Sequence, residues 1–124
     1  MKTVAFHTLG CKVNTYESNA MLKIFQDAGY QEVDFKEVAD VYVINTCTVT
    51  NTGDSKSRQM IRKAIRKNPE AVVCAVGCYS QVAPEDIEQI EGIGVVLGTQ
   101  YRKEIVDLVE EYQKTNQKIV KVDS

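Results

Sequence analysis

The chain has 124 residues and a mass of 13.9 kDa, with 44% apolar and 26% charged residues, 7 Gly, 2 Pro and a formal net charge of -2. That size and mix fit one compact domain and exclude a disordered, collagen-like or multi-domain chain. No stretch approaches the roughly 18 uninterrupted apolar residues of a membrane span, and Met1 to Val4 opens no apolar run long enough for a secretory signal. A soluble, cytoplasmic protein with no membrane partner is expected.

Thr3 to Thr8 (TVAFHT) reads as a short, mostly apolar strand. Tyr16 to Ala28 follows as a helix, with Ala20, Met21, Ile24, Phe25 and Ala28 at helical spacing and Gly29 as its stop. Asn14 with Glu17 three residues on matches a capping box, which sets the helix start just after the loop that holds Cys11. A weaker strand falls near Tyr30 to Val33. Val41 to Asn45 (VYVIN) is β-branched and aromatic enough for a buried strand, and it runs into Thr46, Cys47 and Thr48 before a basic helix from about Asp54 to Lys67, stopped by Asn68 and Pro69. Ala71 to Val76 (AVVCAV) is a third strong strand, followed by Gly77, Cys78 and a helix from about Pro84 to Ile90. Ile93 to Leu97 is a further strand and Arg102 to Tyr112 a last helix. Residues 113–117 are linker-like, and Lys118 to Val122 looks like one more strand with nothing after it, so the chain reads as cut from something longer.

Strands that alternate with helices, each strand a near-continuous apolar run, predict an α/β fold. The expected form is a parallel sheet of about five strands covered by helices on both faces, in the flavodoxin-like order 2-1-3-4-5.

The 4 cysteines stand at 11, 47, 74 and 78. They form neither a disulfide framework nor a tandem pair of zinc knuckles. Cys11, Cys47 and Cys78 each fall in the loop after a predicted strand and before a helix, and in a parallel sheet those loops share one edge. Helix N-termini there favour thiolate, and Lys12 favours it further. Three convergent thiolates suit an iron-sulfur cluster or zinc, while position alone leaves open three unrelated thiols. Cys74, inside AVVCAV, reads as a small buried apolar residue, and His7, the sole histidine, as a packed, hydrogen-bonded group near the site.

Lys56, Arg58, Arg62, Lys63, Arg66 and Lys67 place 6 of the 15 basic residues in one stretch without an acid, against 17 acidic residues elsewhere. On a helical wheel Met60, Ile61, Ala64 and Ile65 share a sector, with the lysines on one flank and the arginines on the other. This is a solvated outer face or a local phosphate-contacting patch.

Four segments resemble the amino-terminal domain of the methylthiotransferases, radical S-adenosylmethionine enzymes that attach methylthio groups to tRNA or to a ribosomal protein: Thr8 to Asn14 (TLGCKVN), Tyr16 to Ser18, Val43 to Thr50 (VINTCTVT) and Gly77 to Gln81 (GCYSQ). The resemblance covers residues 1 to about 113, with 114–124 as a linker and the start of a missing radical domain. It implies that Cys11, Cys47 and Cys78 bind an auxiliary 4Fe-4S cluster with one open iron; Asn14, Asn45 and Thr46 flank those positions and are candidate hydrogen-bond donors to cluster sulfurs. The resemblance is greatest to the branch acting on threonylcarbamoyladenosine next to the tRNA anticodon. The isopentenyladenosine branch, the ribosomal-protein aspartate branch and a non-catalytic zinc or electron-carrier module remain alternatives. Ser80 stands where the family often has alanine.

The radical chemistry of that family needs a Cys-x-x-x-Cys-x-x-Cys loop for a second 4Fe-4S cluster and S-adenosylmethionine. Cys74 and Cys78 have its first spacing but no third cysteine follows, so this stretch alone is expected to be inactive, with no catalytic residue. Under this resemblance Lys56, Arg58, Arg62, Lys63 and Arg66 become candidate tRNA contacts.

Overall fold

The computed structural model of the chain describes residues 2–9, 12–46, 51–77, 80 and 84–122. In chain order these form β1 (Lys2–Thr8), α1 (Lys12–Asp27), β2 (Tyr30–Glu32), β3 (Val41–Thr46), α2 (Asn51–Lys67), β4 (Val72–Gly77), α3 (Pro84–Glu88), β5 (Val95–Leu97), a 3-10 turn (Thr99–Glu104), α4 (Ile105–Thr115) and β6 (Ile119–Lys121). The sheet runs β2-β1-β3-β4-β5-β6, and every neighbouring pair is parallel. The expected order 2-1-3-4-5 is present, with Ile119–Lys121 added beside β5. Among the described residues no helix is long and apolar enough to cross a membrane.

Alternation along each strand divides the core into two layers. Val41, Val43, Cys74 and Val76 pack with Met21 and Phe25 of α1 and Ile105 and Val109 of α4. On the other face Tyr42, Ile44, Val73 and Ala75 pack with Ile61 and Ala64 of α2 and with Ile87 from α3. All six residues of β3 and of β4 are buried, which is why both read as unbroken apolar runs rather than as alternating ones. Tyr42 fits in such a run because its hydroxyl accepts from the Ala39 N–H (2.9 Å) and donates to the Glu37 carbonyl (2.7 Å).

Helix boundaries depart from the sequence-based expectation. α1 begins at Lys12, not at Tyr16, so Asn14 lies inside its first turn instead of capping it. The Leu9 N–H still bonds the Asn45 carbonyl of β3 (2.9 Å), so the chain holds to the sheet through residue 9. First-turn N–H groups lack helical partners in any case, so an asparagine costs little there. Glu17, instead of closing a capping box, pairs with Arg102 at 2.8 Å. α2 starts at Asn51 rather than near Asp54. The last helix extends through Thr115, three residues past Tyr112, before Asn116 takes a left-handed conformation (φ 56°) that turns the chain into β6.

His7 points to the α2 side of β1, with its ring centroid 5.0 Å from that of Phe35. It is packed as expected, although among the described residues nothing hydrogen-bonds its ring. Burial, and then the charge of Lys63, hold the imidazole below its ordinary pKa of 6.5. The unfolded chain therefore takes up a proton that the folded one resists, and this part of the stability is full above pH 6.5 and lost as the pH falls from there through the lowered folded-state value. Urea unfolding of His7→Phe should remove it: relative to the variant, the wild-type chain should lose stability progressively below that pH. A difference independent of pH would contradict the assignment.

Candidate functional site at the carboxyl edge of the sheet

All strand-to-helix loops of a parallel sheet leave from one edge, the place where open α/β folds bind ligands. β1, β3 and β4 are consecutive there, and their register sets Thr8 opposite Asn45 and Asn45 opposite Val76. Neighbouring strands lie about 4.8 Å apart, so these three positions span about 10 Å. In sequence Cys11 comes three residues after Thr8, and Cys47 and Cys78 come two residues after Asn45 and Val76. The three cysteines themselves lie outside the described residues. Among the described residues no three His, Cys, Asp or Glu side chains gather as a metal site.

The strand ends that lead to the cysteines are braced by buried polar side chains. Asn45 donates through Nδ2 to Ser18 Oγ (3.1 Å), and Ser18 Oγ shares a 2.6 Å hydrogen bond with Thr8 Oγ1, so β1, α1 and β3 meet at one hydroxyl. Thr46 donates from Oγ1 to the Val76 carbonyl (2.6 Å) and accepts from the Ser80 N–H (3.4 Å), tying β3 to the end of β4 and to the segment beyond it. Asn45, Thr46, Ser18 and Ser80 are all buried. Asn45 and Thr46, predicted beside the ligands, therefore use their side chains to hold neighbouring strands. Asn14 sits on the first turn of α1, and its side chain lies outside the described set.

Gly77 closes β4 with φ +100°, a conformation that L side chains rarely adopt. A Cβ there would lie 2.6 Å from Asn45 Oδ1 and 2.7 Å from the Thr46 carbonyl. The glycine before Cys78 is thus demanded by the close approach of β3.

These described residues fit an anionic sulfur-rich group. The hydroxyls of Thr8, Ser18 and Thr46 are spent on the braces, and the donor this edge has to offer is Ser80 Oγ, fully buried and without a hydrogen-bond partner among the described residues. Sequence reasoning missed Thr8, Ser18 and Ser80 as parts of this edge. Ser18 carried a signal, since Met21 and Phe25 follow it on the same helical face.

Cys74 is fully buried within β4, and burial pushes its thiol far up from the ordinary value, so it stays protonated and apolar. The basic residues of α2 divide as the wheel predicts. Arg58 and Arg62 line a groove of about 380 Å³ with Asp86 and Gln89 from the α3 side, and Arg66 borders a second hollow with Arg62. Lys67 instead donates to the Lys36 carbonyl, and the charge of Lys63 acts on His7. Lys56, Arg62, Lys63 and Arg66 are exposed and make no ion pair among the described residues.

Gly77→Ala should cost about 2–4 kcal/mol, from backbone strain and overlap with β3 together. Urea unfolding measures it. A loss below about 0.5 kcal/mol, the range of a neutral surface change, would mean that β3 and β4 are not locked this closely at their ends.

Residues 3–98 match the family model described as "Uncharacterized protein family UPF0004". The threonylcarbamoyladenosine tRNA methylthiotransferase MtaB of Bacillus subtilis (strain 168) is 56% identical over 119 residues, which cover 96% of this chain and 26% of that protein. MtaB of Aquifex aeolicus (strain VF5) is 44% identical over 96% of this chain and 29% of its own length. The tRNA-2-methylthio-N(6)-dimethylallyladenosine synthase of Moorella thermoacetica is 34% identical over 89% of this chain and 26% of its length. The chain thus spans about a quarter of the length of the curated relatives it matches. It belongs to the UPF0004 family and is homologous to the MtaB-type methylthiotransferases, and it is more similar to the Bacillus and Aquifex MtaB proteins than to the Moorella synthase.

Proposed function

We propose that this chain is the auxiliary cluster domain of an enzyme that methylthiolates carbon 2 of threonylcarbamoyladenosine next to the anticodon of tRNA, in the cytoplasm. Residues 1–113, joined in the same sheet by β6 (Ile119–Lys121) after the end of α4, form the cluster-bearing unit, which leads toward a separate domain that holds a second 4Fe-4S cluster and S-adenosylmethionine. Cys11, Cys47 and Cys78 ligate the auxiliary cluster. The observation that carries this reading is the register of β1, β3 and β4, with the cysteine-bearing loops leaving three adjacent, aligned strand ends. The similarity to MtaB proteins over 96% of the chain supports it independently and favours this substrate over a dimethylallyladenosine.

A 4Fe-4S cluster held by three cysteines supplies one iron with no protein ligand, a position for a sulfur donor. The work of the chain's own residues is to place thiolates. α1 begins at Lys12, directly after Cys11, so its N-terminus favours negative sulfur at that position. The braces through Ser18 and Thr46 keep the strand ends at fixed separation. Cys74, protonated in the core, takes no part.

Lys56, Arg58, Arg62, Lys63 and Arg66 contact tRNA phosphates in this reading. α2 starts at the same edge of the sheet, and four of the five side chains are exposed, without an ion pair among the described residues.

Anaerobic reconstitution with iron and sulfide, followed by metal analysis, tests the assignment. Cys11→Ala, Cys47→Ala and Cys78→Ala should each abolish cluster uptake and Cys74→Ala should leave it intact. A colourless chain holding one zinc, or uptake that depends on Cys74, would overturn it. Arg62→Glu with Arg66→Glu should weaken tRNA binding and reduce the dependence of log K on log salt by about 2. Unchanged affinity would remove α2 from the interface.

A further inference from the structure

Ser80 lies two residues after Cys78 and is completely shielded from solvent. Its backbone is held in place, because its N–H donates to Thr46 Oγ1 at 3.4 Å. Its hydroxyl is not satisfied: Oγ has no hydrogen-bond partner among the described residues. Thr46 Oγ1, which accepts from that N–H, spends its own proton on the Val76 carbonyl at 2.6 Å and so donates nothing to Ser80. Protein interiors seldom leave a buried hydroxyl unpaired, since its lost hydration is then uncompensated. An alanine would fill nearly the same space without that penalty. A serine kept dry at the sheet's carboxyl edge therefore points to an acceptor that arrives from outside the chain.

We propose that the Ser80 hydroxyl donates a hydrogen bond to a sulfur of the cluster held by Cys11, Cys47 and Cys78, and thereby raises the cluster's reduction potential. The inference rests on the cluster reading above. Thiolate and sulfide are acceptors and carry no donor of their own, so a buried O–H is the complementary group. Reduction adds negative charge to the cluster, and a donor aimed at its sulfur stabilises that reduced state more than the oxidised one. Ser80 is in this account a positioning and tuning residue, distinct from the ligands and from the braces at Thr8, Ser18, Asn45 and Thr46.

The test compares the wild-type chain with Ser80→Ala, each with and without reconstituted cluster. Both should take up equal iron and sulfide, and the variant's midpoint potential should be more negative. Without cluster, the variant should melt at the same temperature as wild type or higher, because a hydroxyl with no partner has been removed. Equal potentials would overturn the proposal, as would a clear drop in melting temperature without cluster, which would show that the protein itself satisfies the hydroxyl. A folded variant that takes up no cluster would overturn it too, by assigning Ser80 to assembly. Failure of wild type to take up a cluster would instead reject the underlying cluster reading, and this proposal with it.

Discussion

The parallel packing of β1, β3 and β4 is the constraint from which the rest follows. Parallel strands cannot be joined by tight hairpins, so each connection crosses the sheet and each loop toward a helix leaves from the same edge. β3 lies between β1 and β4 with all six of its residues buried, and it ends in the two polar side chains that tie the three strands together. Asn45 reaches Ser18 of α1, and Thr46 reaches the Val76 carbonyl of β4. Gly77 admits that closeness by lacking a Cβ. The separation of the strand ends is thereby set by direct hydrogen bonds and excluded volume rather than by the loops themselves.

Polarity is distributed accordingly. The buried polar side chains among the described residues are Ser18, Asn45, Thr46, Ser57 and Ser80, and four of them, all but Ser57, take part in or adjoin the brace at the carboxyl edge. Apart from the Tyr30 and Tyr42 hydroxyls the remainder of the two core layers is apolar, and Cys74 belongs to it both by position and by the upward push on its thiol. Charge is segregated as well. Basic side chains crowd α2, whereas α3 opens with Glu85 and Asp86. Arg58 and Arg62 line a groove with Asp86, and Lys56, Arg62, Lys63 and Arg66 are exposed along α2 as a positive surface.

The fold was legible where burial acts on whole elements. VYVIN and AVVCAV are apolar throughout because both sheet faces are covered, and the alternation of strand and helix leads to the observed order of the first five strands. Legibility failed where one residue answers to a tertiary partner. Asn14 and Glu17 have the spacing of a capping box, yet Glu17 pairs with Arg102 and the helix already begins at Lys12. Helical spacing could have shown Ser57 as well as Ser18 on a buried face, since Ile61 and Ala64 lie four and seven residues beyond it. No periodicity marks Ser80 in the sequence, and its burial follows only from the packing of β3 against the end of β4. The cysteine trio reads in the sequence as three positions that each follow a strand, and the alignment of the strand ends before them, Thr8, Asn45 and Val76, depends on a register that sequence spacing does not contain.

The central claim is that three aligned strand ends create a three-cysteine site with one iron left open. Mössbauer spectroscopy of the anaerobically reconstituted wild-type chain tests it most directly. The account predicts a cubane spectrum in which one iron is distinct from the other three and changes when a small thiol is added. Four equivalent irons that ignore the thiol, or a lone iron bound without sulfide, would contradict it.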